Sequence, residues 1–269
     1  MLFVDFHTHI YPDKIAKKAT SYLTSHFGEE ASWPASSENL LIFGKAAGIS
    51  RFVVLPVAQK VEQVRKINDF VISENNEHIE YYAFGTIHVA LDNICGEIDY
   101  IKNNGLYGVK IHPDQQGFEM DDPRLFDAYR YLEELQLPVL FHCGDPVSDF
   151  SHPLRLKKIL RMFPRLRVVA AHFGGWRVFD EALEILKGEN CFFDLSSSMS
   201  YLGKEKTAKF INTYGEDKVF FGTDFPLWGQ DEEIERFLSL PISDSAKEKI
   251  AGLNALSFLG QNISSIEDL

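Results

Sequence analysis

The sequence predicts a single-domain α/β fold, a (β/α)8 TIM barrel, on three observations. Eight short apolar runs recur along 269 residues, amphipathic stretches lie between them, and polar residues stand repeatedly at the carboxyl ends of the runs. Strand and helix in alternation build a parallel sheet with both faces covered, and eight such pairs close into a barrel. A doubly wound sheet is the competitor, but no G-x-G-x-x-G follows the first run. Hydrophobic residues are 45% of the chain, enough to fill one large core. No linker, repeat or low-complexity tract divides the chain, so one domain over 1–269 is expected.

The first run, "LFVDFH" (2–7), reads as a buried strand and leads into "VDFHTHIYP", with His7 and His9 one residue apart. Residues i and i+2 of a strand share a face, about 6.5 Å apart at roughly 3.3 Å per residue. Two imidazoles so placed can converge on one metal ion. On their own they read equally as polar residues at a strand end. Asp5 shares their face one step deeper, either supporting a ligand histidine or joining a buried ion pair. Residues 28–50 read as an inserted loop and helix before the second run, "RFVVLP" (51–56). The third run is "YYAFGTI" (81–87), with His88 at its end.

The fourth run, "YGVKIH" (107–112), places Lys110 inside a strand, with Val109 and Ile111 on the opposite face. Barrel interiors are mostly branched apolar side chains. A lysine there must lie near the mouth, meet an anion, or change its charge. It is either a substrate-binding or paired amine, or a carbamate that bridges two metals. His112 shares the Lys110 face nearer the mouth, where it contacts substrate or stabilises the turn "HPDQQG". A helix is expected over 123–135. "LPVLFHC" (137–143) then carries His142, followed by a helix over 152–163. "LRVVAAH" (166–172) ends in His172, Arg177 closes "HFGGWR", and a helix over 178–188 stops at Gly188. "CFFDLS" (191–196) carries Asp194, and "KVFFGTD" (218–224) ends in Asp224.

Strand ends of a (β/α)8 barrel gather at one face, where active sites lie. One histidine after a strand is an ordinary structural residue. His7, His9, His142, His172 and Asp224 together point to a metal site. His88 and Asp194 are further strand-end candidates. His26, His78 and His152 fall in helices or loops and take no role.

Composition bounds the partners. The formal net charge is −12 and no basic run offsets it, which excludes nucleic acid and anionic membrane as partners. No apolar run spans a bilayer, and the start lacks a secretory signal. Cys95, Cys143 and Cys191 are scattered with no C-x-x-C, which suits a reducing cytoplasm. The expected partner is a small-molecule substrate, and assembly as a homo-oligomer stays open.

The segments "DFHTHIYP", "GVKIHPDQQGF", "LPVLFHCG", "AHFGG", "FGTDFP" and "LNALSFLG" give the chain a resemblance to the amidohydrolase superfamily. It most resembles the amidohydrolase-2 branch, the aminocarboxymuconate-semialdehyde decarboxylase-like metal-dependent hydrolases. The resemblance implies one divalent metal, zinc first, on His7, His9, His142 and Asp224. His172 is then a catalytic residue, or, with a carbamylated Lys110, a ligand of a second ion. Such an ion lowers the pKa of its water from about 15.7 to about 7. Asp224 would take the proton, and His172 or the metal would steady the developing oxyanion. Lys110, His112 or Arg177 would hold a substrate carboxylate. The expected reaction is hydrolysis of a carboxylate-bearing ester, lactone or amide. Non-oxidative decarboxylation or hydration of an unsaturated or aromatic acid is the alternative. A non-catalytic metal-binding barrel comes third, since its mark, a missing ligand, is not present.

Overall fold

The computed structural model describes residues 1–29, 31 and 33–261. The end of the expected domain, 262–269, and residues 30 and 32 of the expected insertion lie outside the described residues. Among the described residues there are nine strands: β1 (Phe3–Thr8), β2 (Ile49–Val54), β3 (Tyr81–Ala83), β4 (Gly85–Thr86), β5 (Val109–Ile111), β6 (Val139–Phe141), β7 (Val168–Ala170), β8 (Phe192–Asp194) and β9 (Val219–Phe220). All eight expected runs contain a strand. The third is two strands, broken at Phe84, where Tyr107 N–H donates to Ala83 O and Gly85 N–H to Gly108 O. Gly85 is required there, because a Cβ would come within 2.5 Å of Ile101. The chain falls into two compact units, Met1–Val54 with Leu195–Leu269, and Leu55–Asp194.

In the first unit β1 is buried throughout and pairs in parallel with β2, Asp5 opposite Phe52 and Thr8 opposite Val54. Its other edge meets the chain after β9: Phe6 N–H donates to Phe221 O, and Thr8 bridges Phe225 in parallel. Aromatic packing fixes this register. Phe6 stacks on Phe220 at 4.3 Å, and Phe3 meets Phe221 edge-on at 5.2 Å. The strand end bearing His7 and His9 is thereby held beside the segment bearing Asp224. Gly222 permits the approach, since a Cβ there would lie 3.1 Å from His7 Cβ. Within the insertion a helix runs over Ser37–Ala46, its end capped by the Ser36 hydroxyl accepting from Asn39 N–H. A helix over Asp13–Phe27 was not singled out from the sequence. Its buried positions are Ala16, Thr20 and Leu23, too weak an apolar stripe to read.

In the second unit β4, β5, β6, β7 and β8 pair in parallel in that order up to the β7–β8 ladder. Almost every strand residue is buried on both faces, as in a parallel sheet covered by helices. The register sets Lys110 beside Leu140 and Phe141 beside Ala170. The covering helices include Phe126–Leu135, Pro153–Met162 and Phe179–Leu186, within three residues of the expected bounds. His152 caps the second of these, its Nδ1 accepting from Leu154 N–H. Among the described residues no helix is long and apolar enough to cross a membrane.

Candidate metal centre

The first unit brings three of the expected residues together. His9 Nε2 stands 3.2 Å from Asp224 Oδ1, and His7 Nε2 stands 3.7 Å from the same oxygen. The three candidate donor atoms lie within 4.8 Å of one another. Donors bound at 2.0–2.1 Å around a tetrahedral ion stand about 3.3 Å apart. Two imidazole nitrogens and a carboxylate oxygen at these separations therefore fit a divalent metal ion. The i, i+2 spacing delivers the histidines, and their rings meet edge-on at 5.1 Å. Asp224 is delivered by a turn: its φ is 66°, and its N–H donates to His7 O at 2.8 Å.

Neighbouring groups aim these side chains. Ser196 Oγ lies 3.1 Å from His7 Nδ1, the ring nitrogen opposite the one facing Asp224. Ser197 Oγ lies 2.5 Å from Asp224 Oδ2, and Trp228 Nε1–H donates to Ser197 Oγ at 2.9 Å. Asp5 accepts from Thr223 N–H and Oγ1–H at 2.9 and 2.6 Å, and from His7 N–H at 3.3 Å. It ties the two segments together through the backbone. Burial pushes its carboxyl up to about 7, against these hydrogen bonds. Burial, and then the negative Asp224, hold the Tyr11 phenol above its ordinary value.

The second unit gathers the other candidates. His142 Nε2 lies 3.0 Å from Gly144 O, so that nitrogen carries the hydrogen if the pair is bonded. His142 Nδ1 is then the acceptor for His172 Nε2–H at 3.1 Å. Binding of an ion by His142 would therefore replace one of these two contacts. His172 has a left-handed backbone, φ 57°, and its N–H donates to the buried Asp194 at 3.0 Å. Lys110 is wholly buried. His112 caps the turn that follows it, its Nδ1 accepting from Gln115 N–H at 3.4 Å, and its ring stacks on His142 at 3.8 Å. Arg177 is exposed, with its guanidinium 5.2 Å from the Trp176 ring centre. His88 accepts from Ala90 N–H, and burial lowers its pKa.

Sequence reasoning missed Ser196, Ser197, Trp228 and Tyr11. The serines had a signal, a polar triplet directly after the apolar run "CFFDL". Trp228 had none, because its role depends on how the chain turns after Asp224.

Residues 95–261 match the model of the family described as amidohydrolase. A curated relative, the 2-amino-3-carboxymuconate-6-semialdehyde decarboxylase of Dictyostelium discoideum, is 30% identical over 199 residues, 58% of this chain and 54% of that protein. This chain thus spans about half the length of the curated relative it matches. An uncharacterised TIM-barrel protein from Bordetella bronchiseptica has a similar structure, with TM-score 0.81 and 24% identity over 97% of this chain and 100% of that one. A dihydroxybenzoic acid decarboxylase from Polaromonas, solved with manganese and the inhibitor 2-nitroresorcinol, gives TM-score 0.77 at 16% identity over 100% and 99%. At these identities the structural likeness speaks to fold, which is the (β/α)8 barrel. The family match covers more than half of the chain: the protein belongs to the amidohydrolase family, in its amidohydrolase-2 branch.

Proposed function

We propose that the chain is a metal-dependent enzyme that removes carbon dioxide, without redox change, from a small unsaturated or aromatic carboxylic acid. The observation that carries the metal is the triad His7, His9 and Asp224, with His–Asp separations of 3.2 and 3.7 Å. Zinc is proposed first, although the same donors suit manganese. The sequence alone puts hydrolysis first. The decarboxylases among the relatives support moving decarboxylation ahead of it. In that reaction the carbon–carboxylate bond breaks, its electron pair stays on carbon, and a proton takes the place of carbon dioxide. A bound divalent ion supplies Lewis acidity and an acidified water.

The residue roles complete the proposal. His142 enters as the fourth ligand on the sequence resemblance alone. Asp224 and His172 are the proton-handling groups, and Lys110, His112 and Arg177 are the candidates to hold the substrate carboxylate. The three cysteines are free thiols, which supports a reducing cytoplasm as the compartment. Hydrolysis of a carboxylate-bearing ester, lactone or amide is the second reading. A carboxylate within the donor set favours it, because a base beside a bound water is what that reaction requires.

Metal analysis and product analysis test the proposal. Wild type should carry one divalent ion per chain, and the double variant His7→Ala, His9→Ala should lose it. Equal metal content in the two proteins would refute the metal assignment. A panel of unsaturated and aromatic acids should release carbon dioxide. Turnover confined to esters, lactones or amides, without carbon dioxide, would replace decarboxylation with hydrolysis.

A further inference from the structure

The two oxygens of Asp224 have separate partners. Oδ1 faces His9 and His7, whereas Oδ2 lies 2.5 Å from Ser197 Oγ. The direction of that hydrogen bond is fixed by a third group. Trp228 Nε1–H, which can only donate, points to Ser197 Oγ at 2.9 Å. The one hydroxyl hydrogen of Ser197 is therefore committed to Asp224. Both ends of the bond also have unusual backbones, φ 47° at Ser197 and 66° at Asp224. Neither residue is glycine, and such conformations persist only where the surroundings enforce them. The adjacent Ser196 lies 3.1 Å from His7 Nδ1, and with His7 Nε2 facing the ion that nitrogen carries the hydrogen and donates to the serine. Consecutive serines thus reach two different members of the triad.

We infer that Ser197 is a positioning residue: locked by Trp228, it holds Asp224 so that one oxygen alone is presented to the ion. This inference rests on the proposed metal role of His7, His9 and Asp224. Without the hydroxyl, Oδ2 loses the Ser197 donor and the carboxylate is freer to rotate and offer both oxygens. An ion held there would then have both oxygens within reach, with less room left beside it for water or substrate.

Cobalt(II) reports both affinity and geometry. The test variant is Ser197→Gly, since glycine accepts a left-handed backbone while the hydroxymethyl group, and with it the hydroxyl, is removed. Its cobalt affinity should fall by about 10–100-fold, the usual loss when a partner of a ligand is removed. At saturation its visible d–d absorption should be weaker than that of wild type, as coordination number rises. Trp228→Phe leaves residue 197 intact and should shift the spectrum in the same direction by less. Weaker binding with an unchanged spectrum would reduce Ser197 to a structural residue and overturn the inference. Equal affinity and spectrum in wild type and both variants would do the same while leaving the metal assignment standing. Cobalt binding by wild type that survives His7→Ala with His9→Ala would instead remove the metal assignment underneath it.

Discussion

Lys110 poses the sharpest question at the scale of single residues. It is wholly buried in β5 between Val109 and Ile111, themselves buried. A buried ammonium must be paired or give up its charge. Burial raises the neighbouring Cys143 thiol well above its ordinary value, and the positive Lys110 works against that rise. A carbamate would turn the cation into an anion, which is tolerable in such surroundings only beside bound cations. The proposed centre takes one ion through donors that do not include Lys110, so the amine is expected. Carbon-13 bicarbonate labelling should give no carbamate signal; a labelled carbamate with two ions per chain would reverse the assignment. His7 and His9 were legible from strand periodicity, at i and i+2, and Asp224 as a polar residue closing an apolar run, although a turn after the strand delivers it. Ser197 and Trp228 were illegible because a left-handed turn and a hydrogen bond between distant segments define them. Neither leaves a periodic trace.

Strands and helices were legible to different degrees. Strands announced themselves by apolar composition, because both of their faces are covered. The break at Phe84 was hidden, since the residues on either side of it are as apolar as an unbroken strand. The helix over Gln230–Leu238 was not singled out from the sequence. Asp231, Glu232 and Glu233 crowd its first turn, where the helix dipole favours negative charge. Yet Glu233 is buried, and burial pushes its carboxyl up to about 7 although it pairs with Arg236. Its folded value thus lies above the unfolded 4.5. The protonated form stabilises the fold, fully below about pH 4.5, and this contribution is lost as the pH rises through about 7. At 1.36 kcal/mol per pH unit the interval amounts to about 3 kcal/mol. Glu233→Gln stays neutral and should not show this loss. Urea unfolding of both proteins at pH 5 and pH 8 measures it. The variant should gain on wild type by about 2–3 kcal/mol between the two pH values, with Asp5 present in both. A stability difference that does not change with pH would show that Glu233 is ionised throughout.

For the whole molecule, alternation of strand and helix was enough to name the barrel, because that pattern follows from how a parallel sheet must be covered. Net charge makes a separate demand on function. At −12 the protein repels the carboxylate-bearing substrate proposed for it and attracts the metal ion it is proposed to hold. Lys110 and Arg177 oppose that field locally, but each is a single charge, and Lys110 is buried beneath the surface. The overall field should therefore govern approach. Its reach is about 30 Å at 0.01 M salt and about 8 Å at 0.15 M, so added salt removes most of it. For an acid substrate, kcat/KM should rise between these salt concentrations by on the order of ten-fold or less. The inhibition constant of a neutral ester of the same acid should show no such dependence on salt. The affinity for cobalt(II) should fall over the same range, because the attraction is screened as well. Opposite trends for the anion and the cation, in one protein under one set of conditions, separate a field effect from a general effect of salt on the fold. If kcat/KM for the acid instead falls as salt is added, a local positive potential governs approach, and Arg177→Gln should then abolish the salt dependence.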